Sequence, residues 1–397
     1  MKLSRYIFFV FVVTVPMAYA RIWITDTVNI KIAELLYILY LIIMFRYINI
    51  TNRYLLKYKI LIAILFFGFI ISLSLSQDFN LSIKRSAVVI FPIVFIITLP
   101  ELLVPHEKYI VNYMKRSLYF VIGFALLSIL FYNLSVKNRI IFPSIYGFRI
   151  SSYVGDPNRL GSFLNIITCL FIYEYHILKT KKTLFILLIS VSFIFMTGSR
   201  ASILIVLFYI LFSYTETRNR SKHINWKSII QLLFVLVIIF SLYPSISLRL
   251  DRIAQSYSND RYDVREEIFK QGIDEFMKHP LVGSGPFTFS SDKRIVLHGI
   301  DQEATSHNMY LEVLSTMGLI GFIPYILILI NMLYDLYRIK NNNDNIIYKW
   351  LYLSLVGFLI HGFVIETFTE RYVWVYFSVI QYFIYKYNYE SNYEVRE

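Results

Sequence analysis

Long apolar runs recur along most of the chain, separated by short polar segments. They lie at residues 6–24, 29–48, 57–76, 86–104, 117–136, 157–178, 183–197, 201–214, 228–244, 311–336, 346–365 and 369–387. Most approach the ~20 residues needed to cross about 30 Å of hydrocarbon. The pattern predicts an all-α polytopic membrane protein of about twelve transmembrane helices. One polar stretch, 245–306, is too long to be a turn. It divides the chain into a bundle of nine helices over 1–244, a loop over 245–306 and a bundle of three helices over 307–397.

Within that loop the period changes. Asp263 and Glu266 make a helix start, and Ile268, Phe269, Ile273, Phe276 and Met277 then recur at helical spacing. His279-Pro280 ends the element, and Gly283-Ser284-Gly285-Pro286 makes a turn. The expectation is a short amphipathic helix lying on the outer membrane–water boundary.

Composition agrees with the pattern. Of 397 residues, 57% are hydrophobic and only 16% charged, and the mean hydropathy is +0.57, which excludes a soluble globular chain. The net charge of +13 does not point to nucleic acid. The basic residues sit in short segments beside apolar runs, as in the Lys179, Lys181 and Lys182 turn, and in the long loop acidic residues outnumber them. This is the pattern that sets membrane orientation, and it predicts that both termini are cytoplasmic. The single cysteine, Cys169, excludes an intrachain disulfide. Lys2, Arg5, the apolar run after them and Ala18-Tyr19-Ala20 resemble a cleavable signal peptide; an uncleaved first helix is the favoured expectation. The 34 Phe and 33 Tyr read first as lipid-facing and interfacial residues.

Candidate chemistry gathers at the ends of the runs. Ser306-His307-Asn308-Met309-Tyr310 stands where the long loop re-enters the bilayer. A histidine there can be neutral near pH 7 and can accept a proton from a hydroxyl; a structural interfacial histidine is the alternative. Gly318 and Gly321 follow, three residues apart, and allow close helix packing. Arg200 opens a helix that Thr197 or Ser199 can cap, and a guanidinium at a helix N-terminus suits an anion. Otherwise it is a topology arginine that snorkels to the interface. Arg265, in the first turn of the loop helix, has the same chemistry or else belongs to a solvated face. For Arg159, Lys84 and Arg85, anion binding and topology stand side by side. His361 is expected to be a hydrogen-bonded structural group, and Glu366, Glu370 and Arg371 are expected to pair locally. No phosphate-binding Gly-rich loop, no Asp-x-Asp after the first helix and no metal-ligand spacing occurs.

His307-Asn308, nine residues, Gly318, two residues and Gly321 form a signature. With Gly155-Asp156-Pro157-Asn158-Arg159-Leu160-Gly161, Thr197-Gly198-Ser199-Arg200-Ala201-Ser202, and Arg265 ahead of His279-Pro280-Leu281-Val282-Gly283-Ser284-Gly285, the chain resembles the O-antigen ligase and O-antigen polymerase family of polyprenyl-pyrophosphate-dependent glycosyltransferases. The resemblance covers about residues 150–335. It departs at Phe269, where the family usually has tryptophan.

The resemblance implies an inverting, metal-independent glycosyltransferase without cofactor in the bacterial inner membrane, with its active site on the periplasmic face. His307, Arg265 and Arg200 are then catalytic. Asn308, Ser199, Asn158, Arg159, Arg85 and Tyr310 contact substrate. The partners implied are an undecaprenyl-pyrophosphate-linked oligosaccharide, an acceptor glycan, the lipid bilayer and a chain-length-regulating co-polymerase. A polymerase, joining lipid-linked repeats, is the favoured reading; a ligase, using the sugar of a lipid A core, is the alternative. A rival from another class is a lipid-linked glycan flippase or transporter, which usually shows paired repeats and helices broken near the midplane.

Overall fold

The computed structural model describes residues 2–17, 21–23, 29–49, 52–130, 145–146, 149–218, 264–290, 294–297, 300–303 and 306–394. Helices stand at the predicted apolar runs that fall within these residues: α1 (Lys2–Thr14), α2 (Ile32–Met44), α3 (Leu56–Ser74), a short α4 (Phe79–Arg85), α5 (Ala87–Leu102), α6 (Glu107–Leu130), α7 (Pro157–Leu178), α8 (Lys181–Thr197) and α9 (Arg200–Arg218). After the loop helix α10 (Val264–Lys278) come α11 (Met309–Asn342), α12 (Ile346–His361) and α13 (Arg371–Glu394). The predicted run 228–244 lies outside the described residues. Among those described, four helical stretches are long and apolar enough to cross a membrane: Leu56–Ser74, Val104–Leu127, Pro157–Leu178 and Met309–Asn342.

The helix starts follow from side-chain chemistry. Asp156 accepts from the Asn158 and Arg159 N–H groups at 2.8 and 3.0 Å, with Pro157 in the first helical position. Asp78, Thr180, Asn308 and Asn345 cap α4, α8, α11 and α12 in the same way. The first helix is shorter than its apolar run. It stops at Thr14, whose hydroxyl donates back to the Val10 carbonyl, because Pro16 has no N–H to continue the ladder. A small antiparallel pair, β1 (Arg21–Trp23) with β2 (Asn29–Lys31), follows, so residues 21–23 are not helical as expected. Two further hairpins occur: β3 (Ile145–Tyr146) with β4 (Arg149–Ile150), and β5 (Arg294–Leu297) with β6 (Ile300–Glu303) within the loop.

In the bundle, α3 runs along α11, α5 along α13, α1 along α2, and α7 lies between α8 and α12. Ile60, Ile64 and Phe67 stay exposed on one face of α3, as expected of a side that meets lipid. Many aromatics are not lipid-facing. Trp350, Trp374, Tyr37, Tyr40, Tyr58, Tyr209, Tyr325 and Tyr376 are fully buried. The expectation of a mainly peripheral aromatic set is corrected here for a physical reason: an interior hydroxyl is tolerated when it has a partner. Tyr40 donates to the Leu102 carbonyl at 2.7 Å, Tyr58 to Asp335 at 2.6 Å, and Tyr376 shares a 2.6 Å bond with Ser354.

Candidate active site

The two turns that carry the polar motifs are joined by a residue outside them. Gly155, in the left-handed region at φ 89°, turns the chain into Asp156 and α7. Gly198, at φ 58°, turns it from α8 into α9. Arg149 of β4 bridges the turns, donating from Nε to the Thr197 carbonyl and from Nη2 to Asn158 Oδ1, each at 2.7 Å. Thr197 Oγ1 accepts from the Ser199 N–H at 3.1 Å, and the Ser202 N–H points to Ser199 Oγ at 3.5 Å. Thus Ser199 caps the helix that begins with Arg200. A Cβ on Gly161 would stand 2.2 Å from Ser202 Oγ, so glycine is what lets α7 approach α9 this closely.

The C-terminal end of α12 reaches both α9 and α11. His361 Nε2 lies 3.4 Å from Ser202 Oγ. The next residue, Gly362, accepts at its carbonyl from the Met309 N–H at 2.8 Å. Tyr310 adds a 2.7 Å bond from its hydroxyl to the Leu359 carbonyl, and its ring lies 4.7 Å from that of Phe363. The turns bearing Ser199–Arg200 and His307–Asn308 are thereby held around one helix end. His307 is half-buried at φ 48°, a conformation that non-glycine residues seldom adopt. Asn308 then turns extended and accepts from the Tyr310 and Leu311 N–H groups at 2.9 and 3.0 Å. Arg200 is exposed at the same end.

An ion-pair network surrounds this site and does not match the local pairing expected from sequence. Arg159 reaches Glu366 at 2.9 Å and Glu370 at 2.6 Å. Arg371 reaches back to Glu34 at 2.5 Å, and the Lys31 N–H donates to the same carboxylate at 2.9 Å. The network ties α2, α7 and the α12–α13 connection together across sequence separations that no local pattern encodes. Its consequence for Arg159 is direct: two carboxylates already occupy the fork that was a candidate anion contact. Glu312, one turn into α11, faces Ser306 through hydrogen bonds and lies near Glu366 and Arg159.

The largest departure from expectation lies in the glycine pair. Gly318 is not a helix-packing glycine. It sits inside α11 at φ 60°, ψ −164°, and the ladder is broken there. The loop segment after α10 repairs the break. Ser284 and Gly285 N–H groups donate to the freed Ser315 and Thr316 carbonyls at 3.0 Å each. The Leu319 and Ile320 N–H groups donate to the Pro280 and Leu281 carbonyls at 2.9 and 3.1 Å. Gly283, at φ 72°, lies so close that a Cβ would stand 2.3 Å from the Thr316 carbonyl carbon. The same side of α3 contributes Ser72, which donates to Thr316 O at 2.8 Å. The two sequence motifs His279–Gly285 and His307–Gly321 are therefore halves of one interlocked unit.

That unit places α10 against the site. Gly272 of α10 packs on Leu311, with a Cβ position 2.6 Å from Leu311 Cδ2. Ile268 is buried, whereas Phe269 and Met277 are exposed. Arg265 stands in the first turn of α10 and Arg85 at the last residue of α4, which is held to the loop by the Ser82 hydroxyl at 2.6 Å from the Pro286 carbonyl; the side chains of both arginines lie outside the described residues. Backbone connectivity thus brings His307, Asn308, Tyr310, Asn158, Arg159, Ser199 and Arg200 to one end of the bundle, with the helices of Arg265 and Arg85 beside them. Sequence reasoning missed Arg149, which has no motif around it, and Glu312, which stands inside the His-Asn motif but shows its neighbours only in three dimensions.

An all-α bundle with membrane-length helices, carrying its polar motifs at one end around a broken helix, defines a polytopic membrane protein with a polar site at that end. Residues 185–326 match the family model described as O-antigen ligase. The match takes in the Thr197–Ser202 turn, the whole loop and the His307–Gly321 motif, about a third of the chain, and it supports a likeness to the O-antigen ligase and polymerase family. No curated protein matches the sequence.

Proposed function

We propose that this chain is a membrane glycosyltransferase that moves a glycan from undecaprenyl pyrophosphate to a sugar hydroxyl on the periplasmic face. The observation that supports it best is the shared anchor at His361–Gly362, which gathers the Arg200 turn and the His307 turn around one helix end. In this reading Arg200 and Arg265 hold the pyrophosphate and stabilise the charge that grows on it as the bond breaks. A ring nitrogen of His307 takes the proton of the acceptor hydroxyl. The hydroxyl oxygen bonds to the anomeric carbon from the face opposite the leaving group. The bond from that carbon to the phosphate oxygen breaks, and its electron pair leaves with the lipid pyrophosphate. Asn308, by capping α11, sets the turn that presents His307; Ser199 does the same for Arg200.

The acceptor we favour is another lipid-linked repeat, which makes the enzyme an O-antigen polymerase working with a chain-length-regulating co-polymerase. The description of the matched family model favours a second reading, a ligase that uses a lipid A core sugar. Glycan profiling of a deletion strain separates the two. Single repeats left on the core indicate a polymerase; bare core with polymer accumulating on the carrier lipid indicates a ligase. Unchanged surface glycan would remove both.

A further inference from the structure

Among the described residues, acidic groups at the far end of the bundle are already paired. Helix α2 runs from Glu34, within the ion network of the site, to Tyr40, which stacks on Phe8 of α1 at 5.3 Å. At that far end Lys59 pairs with Glu101 at 2.7 Å, Lys386 with Glu107, and Lys115 with Glu174. Two arginines on α1 and α6 have no such partner. Arg5 lies over the Tyr109 ring at 4.3 Å and Arg116 over the Phe9 ring at 5.5 Å. Both face Tyr113, so they share the groove where α1 packs on α6. Among the described residues no carboxylate bridges either one.

Arg116 is exposed and Arg5 is half-buried. Arg5 Nε is shielded from solvent and has no partner. Behind it His106, 1% exposed, stacks on Phe8 at 5.6 Å, and neither ring nitrogen has a partner. An arginine beside apolar surface ordinarily finds a counter-charge, and here the protein offers only ring faces. The neighbouring surface is apolar rather than aqueous: Tyr6 and Val10 on α1 and Phe120 on α6 are exposed. A ligand that satisfies all of this has a phosphate at one end and hydrocarbon at the other. The guanidinium fork suits phosphate oxygens, and basic grooves between membrane helices hold such headgroups.

We propose that the α1–α6 groove, at the end of the bundle opposite the transferase site, binds the phosphate of an anionic phospholipid between Arg5 and Arg116. The site does not depend on the transferase reading. Native mass spectrometry of the purified full chain tests it, with phosphatidylglycerol, phosphatidylcholine or inorganic phosphate added. Retention of phosphatidylglycerol over phosphatidylcholine by roughly tenfold is expected from two screened charges, falling to near parity in Arg5→Gln/Arg116→Gln. An Arg5→Lys/Arg116→Lys chain, used if the first fails to fold, should retain several-fold less phosphatidylglycerol than the natural chain. Equal retention of both lipids, a preference that survives either pair of substitutions, or displacement by inorganic phosphate would each overturn the proposal.

Discussion

The Met309 N–H and the Gly362 carbonyl, 2.8 Å apart, join the first turn of α11 to the last turn of α12. His307 precedes Met309 by two residues and His361 immediately precedes Gly362, so this bond sets how far the candidate base lies from the Arg200 turn held by His361. If His307 is the base, His307→Ala should lower turnover by roughly 10²–10⁴-fold while the chain keeps its melting temperature. The check is polymer formed per unit of folded protein from a purified lipid-linked repeat. Turnover within twofold of the natural chain would exclude the role.

Asn308 divides more finely. Its side-chain oxygen caps α11 through two N–H groups, so Asn308→Ala should cost about 1 kcal/mol. Asn308→Asp keeps that acceptor and should keep the stability. If the cap is its whole contribution, the Asp chain also keeps its activity. Activity lost at unchanged stability would assign the amide to substrate.

Arg159 is expected to act on stability first. Removing it takes away the cation that bridges Glu366 and Glu370, and Arg159→Gln should destabilise by on the order of 3 kcal/mol. Adding Glu366→Gln and Glu370→Gln should restore part of that loss. Thermal unfolding in detergent reads both. An Arg159→Gln chain with normal stability and no activity would return Arg159 to anion binding.

Arg149 holds two motif turns with one guanidinium. Arg149→Lys cannot reach the Thr197 carbonyl and Asn158 together in the same planar geometry. A displacement of the Arg200 turn by about 1 Å can cost ~10²-fold in rate, so turnover should fall by one to two orders of magnitude with the fold retained. Turnover equal to the natural chain's would show that the bridge does not position the turn.

Gly318 combines a backbone region open essentially to glycine alone with a Cβ position 2.4 Å from the Leu281 carbonyl carbon. Gly318→Ala should destabilise by about 3 kcal/mol or more and expose the 280–286 segment to protease. A protease-resistant variant with an unchanged melting temperature would contradict the interlock.

Much of the architecture was legible in the linear chain. Apolar runs of membrane length, Asp156 before Pro157, and Asn308 before Met309 each act over a few residues, so local physics reports them directly. The end of the first helix was less legible, because Pro16 lies inside an apolar run and hydropathy alone does not stop there. The glycine pair was legible as a motif but not as a mechanism: Gly318 reads as a packing residue until the segment that fills its break is seen.

By itself, then, the sequence determined the membrane class of the protein and the helices at its described apolar runs, because transfer free energy depends on composition and near neighbours. Tertiary structure decided which charges are occupied and which motifs share an end. Arg159 with Glu366 and Glu370, Arg371 with Glu34, and the His279–Gly285 segment inside the break of α11 all join residues far apart in the chain. An ion pair or a hydrogen bond depends on distances of a few ångströms, and only the packed bundle sets those.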